Sequence, residues 1–223
     1  EPSKRIFRLV ASQVLGAAVT RANPIVDQSF ALRTRIAGGV TAMRYAVDVA
    51  TAPTMLLEAT LFQVVFIDLT RAATRREFAA FMRIVHKGLV QVASALAATS
   101  AVLFVLRRQV ISLVFAHGHM GGDGIRLLTD LLPWALLDAI PFASLILLVR
   151  ANVSLQNTRI MLPLGVVNVL LNAAFNALLL PRVGLGGLLA ATGATQGLVA
   201  VLLYVSLQGA IRSKIQSGVL VDK

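Results

Sequence analysis

Residues 38–67, GGVTAMRYAVDVATAPTMLLEATLFQVVFI, form an apolar run long enough to cross a bilayer, yet Arg44, Asp48 and Glu58 lie inside it. A spanning helix needs about 20 mainly apolar residues. A charge at the bilayer centre costs about 3 kcal/mol on insertion scales. The charges therefore constrain how the run must be turned. Side chains at i, i+3, i+4 and i+7 share one helix face. Thr41, Arg44, Asp48, Thr51, Met55 and Glu58 follow that spacing and gather into one seam. The seam is expected to face other helices or a wet cavity rather than acyl chains. Arg44 and Asp48, four apart, are also placed to pair with each other.

The rest of the chain has the same character. Of 223 residues, 57% are hydrophobic and only 14% charged, with a mean hydropathy of +0.79. Soluble domains carry about 25% charged residues. The pattern predicts an all-α integral membrane protein, a bundle of six transmembrane helices over about 8–32, 40–67, 88–106, 127–149, 160–180 and 185–206. Residues 69–87 read as a basic amphipathic segment on the membrane surface, with Phe78, Phe81, Met82 and Val85 on one face. Residues 109–122 read as a short apolar turn and a Gly-rich loop. No strand pattern competes, and lipid-exposed open sheets are excluded.

The opening stretch KRIFRLVASQVLGAAVTRA has a basic start, an apolar core and small residues, as a secretory signal does. Gln13 interrupts that core and apolar character resumes from Ile25 to Leu32, so the stretch is read as part of the first span. A first residue of Glu rather than Met points to a piece of a longer chain.

The net charge of +11 is better explained by loop cations than by nucleic acid, and no nucleic-acid partner is expected. With six spans, 13 Lys and Arg residues fall on one side, in the groups around Arg5, Arg75, Arg159 and Arg212. Six fall on the other: Arg33, Arg35, Arg107, Arg108, Arg126 and Arg182. That bias places both ends of the segment in the cytoplasm.

Other spans carry polar rows. Gln13, Gly16, Thr20, Asn23 and Asp27 follow helical spacing in the first, with Pro24 beside them. Asn168, Asn172 and Asn176 are four apart in the fifth, and Trp134 and Asp138 in the fourth. The plainer reading of the Asn row is interhelical hydrogen bonding; cavity lining is the other. Candidate binding residues are Arg44, Asp48, Glu58, Asp27, Asn23 and Asn172.

Metal and enzyme chemistry find little support. There is no cysteine, hence no disulfide or thiolate site. His117 and His119 lack a second ligand cluster, so no metal site is assigned. Gly184, Gly186 and Gly187 are no phosphate loop, because no strand precedes them. No nucleophile–base motif is present, and neither an enzyme nor a cofactor is expected.

The order of features carries a resemblance. GGVTAMRYAVDVATAP is followed by FQVVFIDLTRAATRREFAAFMR, VISLVFAHGHMGGD, VSLQNTRIMLPLGVVNVLLN and GLGGLLAATGATQGLVAVLLY. The succession resembles the carboxyl-terminal six-helix lobe of the MviN/MurJ lipid II flippases, within the multidrug/oligosaccharidyl-lipid/polysaccharide exporter superfamily. It covers about residues 8–206. The resemblance implies two pseudo-symmetric bundles around a cationic cavity. It also implies translocation of an undecaprenyl-diphosphate-linked cell-envelope precursor across the bacterial cytoplasmic (inner) membrane by alternating access, with an amino-terminal lobe and membrane lipids as partners. The family commonly shows Tyr-Ala-Asp-Arg where this chain has Tyr45-Ala46-Val47-Asp48. Asp48 stands where the family has Arg, and Arg44 offers positive charge one turn earlier. Two alternatives follow: an ion-coupled exporter of another cargo, such as an O-antigen unit or a drug, and a non-transporting membrane scaffold.

Overall fold

The computed structural model of the chain describes residues 23–115 and 121–221, with side chains through Gln216. Among them are nine helices and no strand. They are α1 (Asn23–Leu32), α2 (Gly39–Ala59), α3 (Leu61–Thr74), α4 (Phe78–Val105), α5 (Arg107–Phe115), α6 (Gly122–Leu136), α7 (Ala139–Ser154), α8 (Met161–Val183) and α9 (Leu185–Val221). The helices run back and forth between an end that holds the turn at Arg35 and an end that holds the turn at Arg76. The first expected span lies largely outside the described residues, as do Gln13, Gly16 and Thr20 of its polar row.

Among the described residues three helices, α4, α8 and α9, are each long and apolar enough to cross a membrane, or up to five segments are if each of two bent pairs counts as one. The pairs are α2 with α3 and α6 with α7, each bent by 45°. The expected spans 40–67 and 127–149 fall across these bends. At Thr60 the hydroxyl donates to Leu56 O at 2.8 Å, while the amide turns to Leu57 O at 3.3 Å. The same hydroxyl bond occurs at Thr70 and Thr99 inside unbroken helices, so it accompanies this break without by itself causing it. At the second bend, Pro141 has no N–H to give to Leu137 O, and its ring crowds that carbonyl. The helix stops at Leu136 and restarts at Ala139, where Pro141 sits harmlessly in the first turn.

Residues 69–87 do not form one separate surface segment. They are divided between the end of α3, a turn at Arg75–Glu77 and the start of α4. Leu69, Phe81 and Val85 are fully buried there, so packing of their apolar faces decides the arrangement. The turn closes with Arg76 in the left-handed region at φ 56° and Glu77 N–H on Ala72 O at 2.9 Å. The turn after α7 repeats it, with Gln156 at φ 59° and Asn157 N–H on Asn152 O at 2.9 Å. Bonds of this kind satisfy the last carbonyls of a helix.

Two apolar clusters hold the helices. Near the Arg76 end, Phe62, Leu69, Phe81, Leu147, Leu203 and Leu207 join α3, α4, α7 and α9. Near the Arg35 end, Ala46, Ile111, Leu128, Leu132 and Leu188 join α2, α5, α6 and α9. The α8–α9 hairpin turns on Gly184 at φ 68°, a backbone value that favours glycine. Three residues on, a Cβ at Gly187 would lie 2.5 Å from Leu179 O, so glycine lets the two helices touch.

Candidate functional site

The described helices place the expected site residues in three separate groups. The first centres on Asp27, in the middle of α1. Asn172 Nδ2 and Asn176 Nδ2, from α8, each donate to Asp27 Oδ1 at 2.7 Å. Thr192 Oγ1, from α9, reaches Asp27 Oδ2 at 3.1 Å. The Asn row explains two of these contacts: residues four apart lie one above the other on a helix, so both amides reach the same oxygen. Thr192 supplies the third because α8 and α9 pack closely at Gly187.

This node has more acceptors than donors. Thr192 owns one hydroxyl proton but lies within reach of Asp27 Oδ2, Leu188 O at 3.1 Å and Asn172 Oδ1 at 3.4 Å. Asn176 Oδ1 is buried without a partner. Carboxylate, amide, hydroxyl and main-chain oxygens thus converge at one level of the bundle. Asn23 and Asn168 lie one turn away on the same two helices. Both are buried, and Oδ1 of each has no partner. Asn23 therefore neighbours the node in sequence but does not bond to it.

Asp138 lies at the α6–α7 bend. It is 9% exposed, and its Oδ1 has no partner among the described residues. Its backbone lies against Gly193, where a Cβ would come within 3.2 Å of Asp138 Cα.

The second group is the α2 face. Arg44 and Asp48 are both exposed, as are Thr41 and Met55, whereas Thr51 and Thr54 turn inward. The hollow expected beside this seam is not formed within the nine helices; the face lies on their outside. The expected Arg44–Asp48 ion pair is absent among the described residues. An Arg placed N-terminal to an acid is the weaker order for such a pair, and open surroundings add little to it.

The third group lies near the Arg76 end. Glu58 belongs to the same seam by spacing, but its carboxylate accepts from Arg150 Nη2 of α7 at 2.8 Å. Arg150 also lies over the Phe62 ring, 5.6 Å from its centroid. At 1.5 Å per residue, Glu58 is about 15 Å along the helix from Asp48. The two do not share a site. By sequence Arg150 falls just past the expected span 127–149, in the same loop as Arg159. No local spacing links it to Glu58, which is 92 residues away.

No cluster of three or more His, Asp or Glu ligands occurs among the described residues. His117 and His119 lie outside them.

With this geometry in hand, the chain can be set beside known proteins. The family model described as lipid II flippase MurJ matches residues 1–223. The fold is similar to that of a solved lipid II flippase MurJ in an inward closed conformation. The TM-score is 0.75 and the identity 17%, over 86% of this chain. The chain spans 41% of the length of that structure. No curated protein matches it.

Proposed function

The chain belongs to the MurJ lipid II flippase family, membrane transporters of peptidoglycan biosynthesis rather than enzymes, and from that premise we propose that its helices form one lobe of a flippase. The lobe would be the carboxyl-terminal one, with six spans and both ends cytoplasmic. The cargo would be an undecaprenyl-diphosphate-linked envelope precursor, moved across the cytoplasmic membrane by alternating access.

The observation that carries this reading is the open α2 face. Arg44 and Asp48 are exposed on a helix otherwise made for lipid. Turned to acyl chains, each would cost several kcal/mol. Turned to a second bundle across a wet cavity, they cost little and are free to bind. Arg44 would meet the cargo's diphosphate through its planar fork of donors, and Asp48 would accept from sugar hydroxyls. Glu58 is engaged by Arg150 and would contribute by bracing α2 against α7.

The Asp27 node has a different role in this scheme. Its converging oxygens suit a coupling cation, which would supply a positive charge to the surplus of acceptors. Asp27, Asn172, Asn176 and Thr192 would hold it, and their release or capture of one another would tie α1 to the α8–α9 hairpin.

The test is growth complementation and flipping with the full-length protein. Arg44→Ala should abolish both while leaving expression unchanged. Intact transport in that variant would end the assignment of Arg44. Neutralising Asp27 should remove dependence on a sodium or proton gradient; gradient dependence that survives the change would end the coupling role. A second reading is favoured by Asp48, which stands where the family has Arg. A seam of mixed sign also suits an exporter of a less anionic cargo. Transport of an amphipathic cation in preference to a prenyl diphosphate would select it.

A further inference from the structure

A shallow groove runs along the exposed face of α3, away from Arg44, Asp27 and Glu58. It is lined by Phe66, Ile67, Thr70, Arg71, Thr74 and Arg75. These form two i+4 rows, Phe66–Thr70–Thr74 and Ile67–Arg71–Arg75, and the groove lies between the ridges they make. Its chemistry changes along the helix. The first turn is apolar and the last is basic, over roughly 13 Å of rise. The hydroxyls of Thr70 and Thr74 donate back to Phe66 O and Thr70 O, both at 2.8 Å. The donors left for a ligand are the two guanidinium groups. Arg71 faces Asp68 only loosely, at 3.7 Å with its side chain 72% exposed, so it is free to turn. Arg75 has no ion pair among the described residues.

The geometry points to a binding site for an anionic phospholipid on this face. The headgroup phosphate is taken by Arg71 and Arg75, and the upper part of an acyl chain lies along Phe66 and Ile67. An apolar-to-cationic gradient over about one lipid half-length is the complement of an anionic amphiphile at the membrane surface. The groove is shallow and open along its length, with about 390 Å³ of space along its walls, enough for a phosphate and the first methylenes of an acyl chain. The site rests on the chain's lying in a membrane, and not on Arg44 or on any cargo, so the two proposals fail separately.

The test uses purified full-length protein in phosphatidylcholine nanodiscs titrated with phosphatidylglycerol. Retained lipid is counted by native mass spectrometry. Arg71→Gln/Arg75→Gln should weaken phosphatidylglycerol retention by about 30-fold, near fivefold for each guanidinium. Arg159→Gln/Arg212→Gln, equally basic and at the same end but outside the groove, should change it less than twofold. Thr70→Trp keeps every charge on an exposed face and fills the groove, and should weaken retention by about tenfold. The proposal is overturned by undiminished retention in the first variant, or by equal losses in the control. It is also overturned if a polyprenyl diphosphate displaces phosphatidylglycerol at matched concentration, since the groove would then be a cargo entrance. Should the double variant misfold, Thr70→Trp decides alone.

Discussion

Asp27 accepts from three side chains on two other helices, while Asp48, in an equally apolar helix, is exposed and unpaired among the described residues. Both carboxylates were placed by the same helical spacing. The difference lies in what packs against them. Around Asp27, α8 and α9 approach closely enough for Asn172, Asn176 and Thr192 to replace water. Around Asp48 none of the described helices arrives, and the charge keeps its solvent or waits for a partner. The first arrangement is built into the stability of the fold, and the second is left outside it. A buried group that loses its partners costs stability; an exposed group that is removed costs function alone.

The sharpest way to break this contrast is to pry the closed region open. Gly187→Val places a Cβ where Leu179 O already stands, so α8 and α9 must separate. Overpacking of this kind costs roughly 1–3 kcal/mol, and the loss of contacts at Thr192 adds to it. We expect a fall in the thermal midpoint of about 10 °C or more in detergent, followed by fluorescence-detected gel filtration. Asp27→Ala attacks the same region from its centre. It removes the common acceptor and strands two amides, while the Thr192 hydroxyl keeps Leu188 O, for about 2–3 kcal/mol. Asp27→Asn keeps the shape and should lose less. If Asp27→Ala leaves the midpoint unmoved, the node is not a structural unit.

How much of this could be read from the chain follows from the same contrast. Apolar windows and the 3.6-residue period disclose helices and show which residues share a face, so Asn172 and Asn176 are recognisable as a row. They do not disclose which way a face turns. Arg44 and Asp48 on α2 look as inward as Asp27 on α1 until the neighbours are known. Cross-helix partners are beyond local spacing altogether. Arg150 meets Glu58, and Thr192 meets Asp27, only because the tertiary packing brings them together. The second bend was partly legible, since Pro141 has no N–H for Leu137 O, but Pro53 and Pro133 lie inside the continuous helices α2 and α6, so a proline alone does not place a break. At Thr60 the signal is a hydroxyl competing with an amide, which ordinary helical threonines share without bending their helices; Thr51 also bonds back, to Val47 O at 2.8 Å.

The Glu58–Arg150 pair lies between the two extremes and sharpens the scale. Its side chains are 45% and 19% exposed, so solvent screens part of the attraction. A double-mutant cycle with Glu58→Gln and Arg150→Gln should return a coupling of about 1 kcal/mol. Arg150→Ala should cost more than Glu58→Ala, because it also uncovers the Phe62 ring. A coupling of zero would class the pair with the open face; one above about 3 kcal/mol would class it with the Asp27 node.

The smallest expected effect on stability is also the most informative. Arg44 has no ion pair among the described residues and lies on an exposed face, so Arg44→Ala should shift stability by no more than about 0.5 kcal/mol. Transport should nevertheless be lost, because the guanidinium is the positive charge of the α2 seam nearest Asp48. Arg44→Lys separates charge from shape. Lys retains the charge but loses the bidentate fork, so partial recovery is expected for a diphosphate cargo and full recovery if only the local potential matters. The decisive comparison is Asp48→Arg, which turns the mixed-sign pair at positions 44 and 48 into two cations. If the open face binds an anionic cargo, this change raises flipping of a prenyl diphosphate and rescues Arg44→Ala in part, with no change in the thermal midpoint. If Asp48→Arg instead unfolds the protein, then Asp48 is packed against something that the nine helices do not contain, and the division between a closed structural region and an open functional one fails at its central residue.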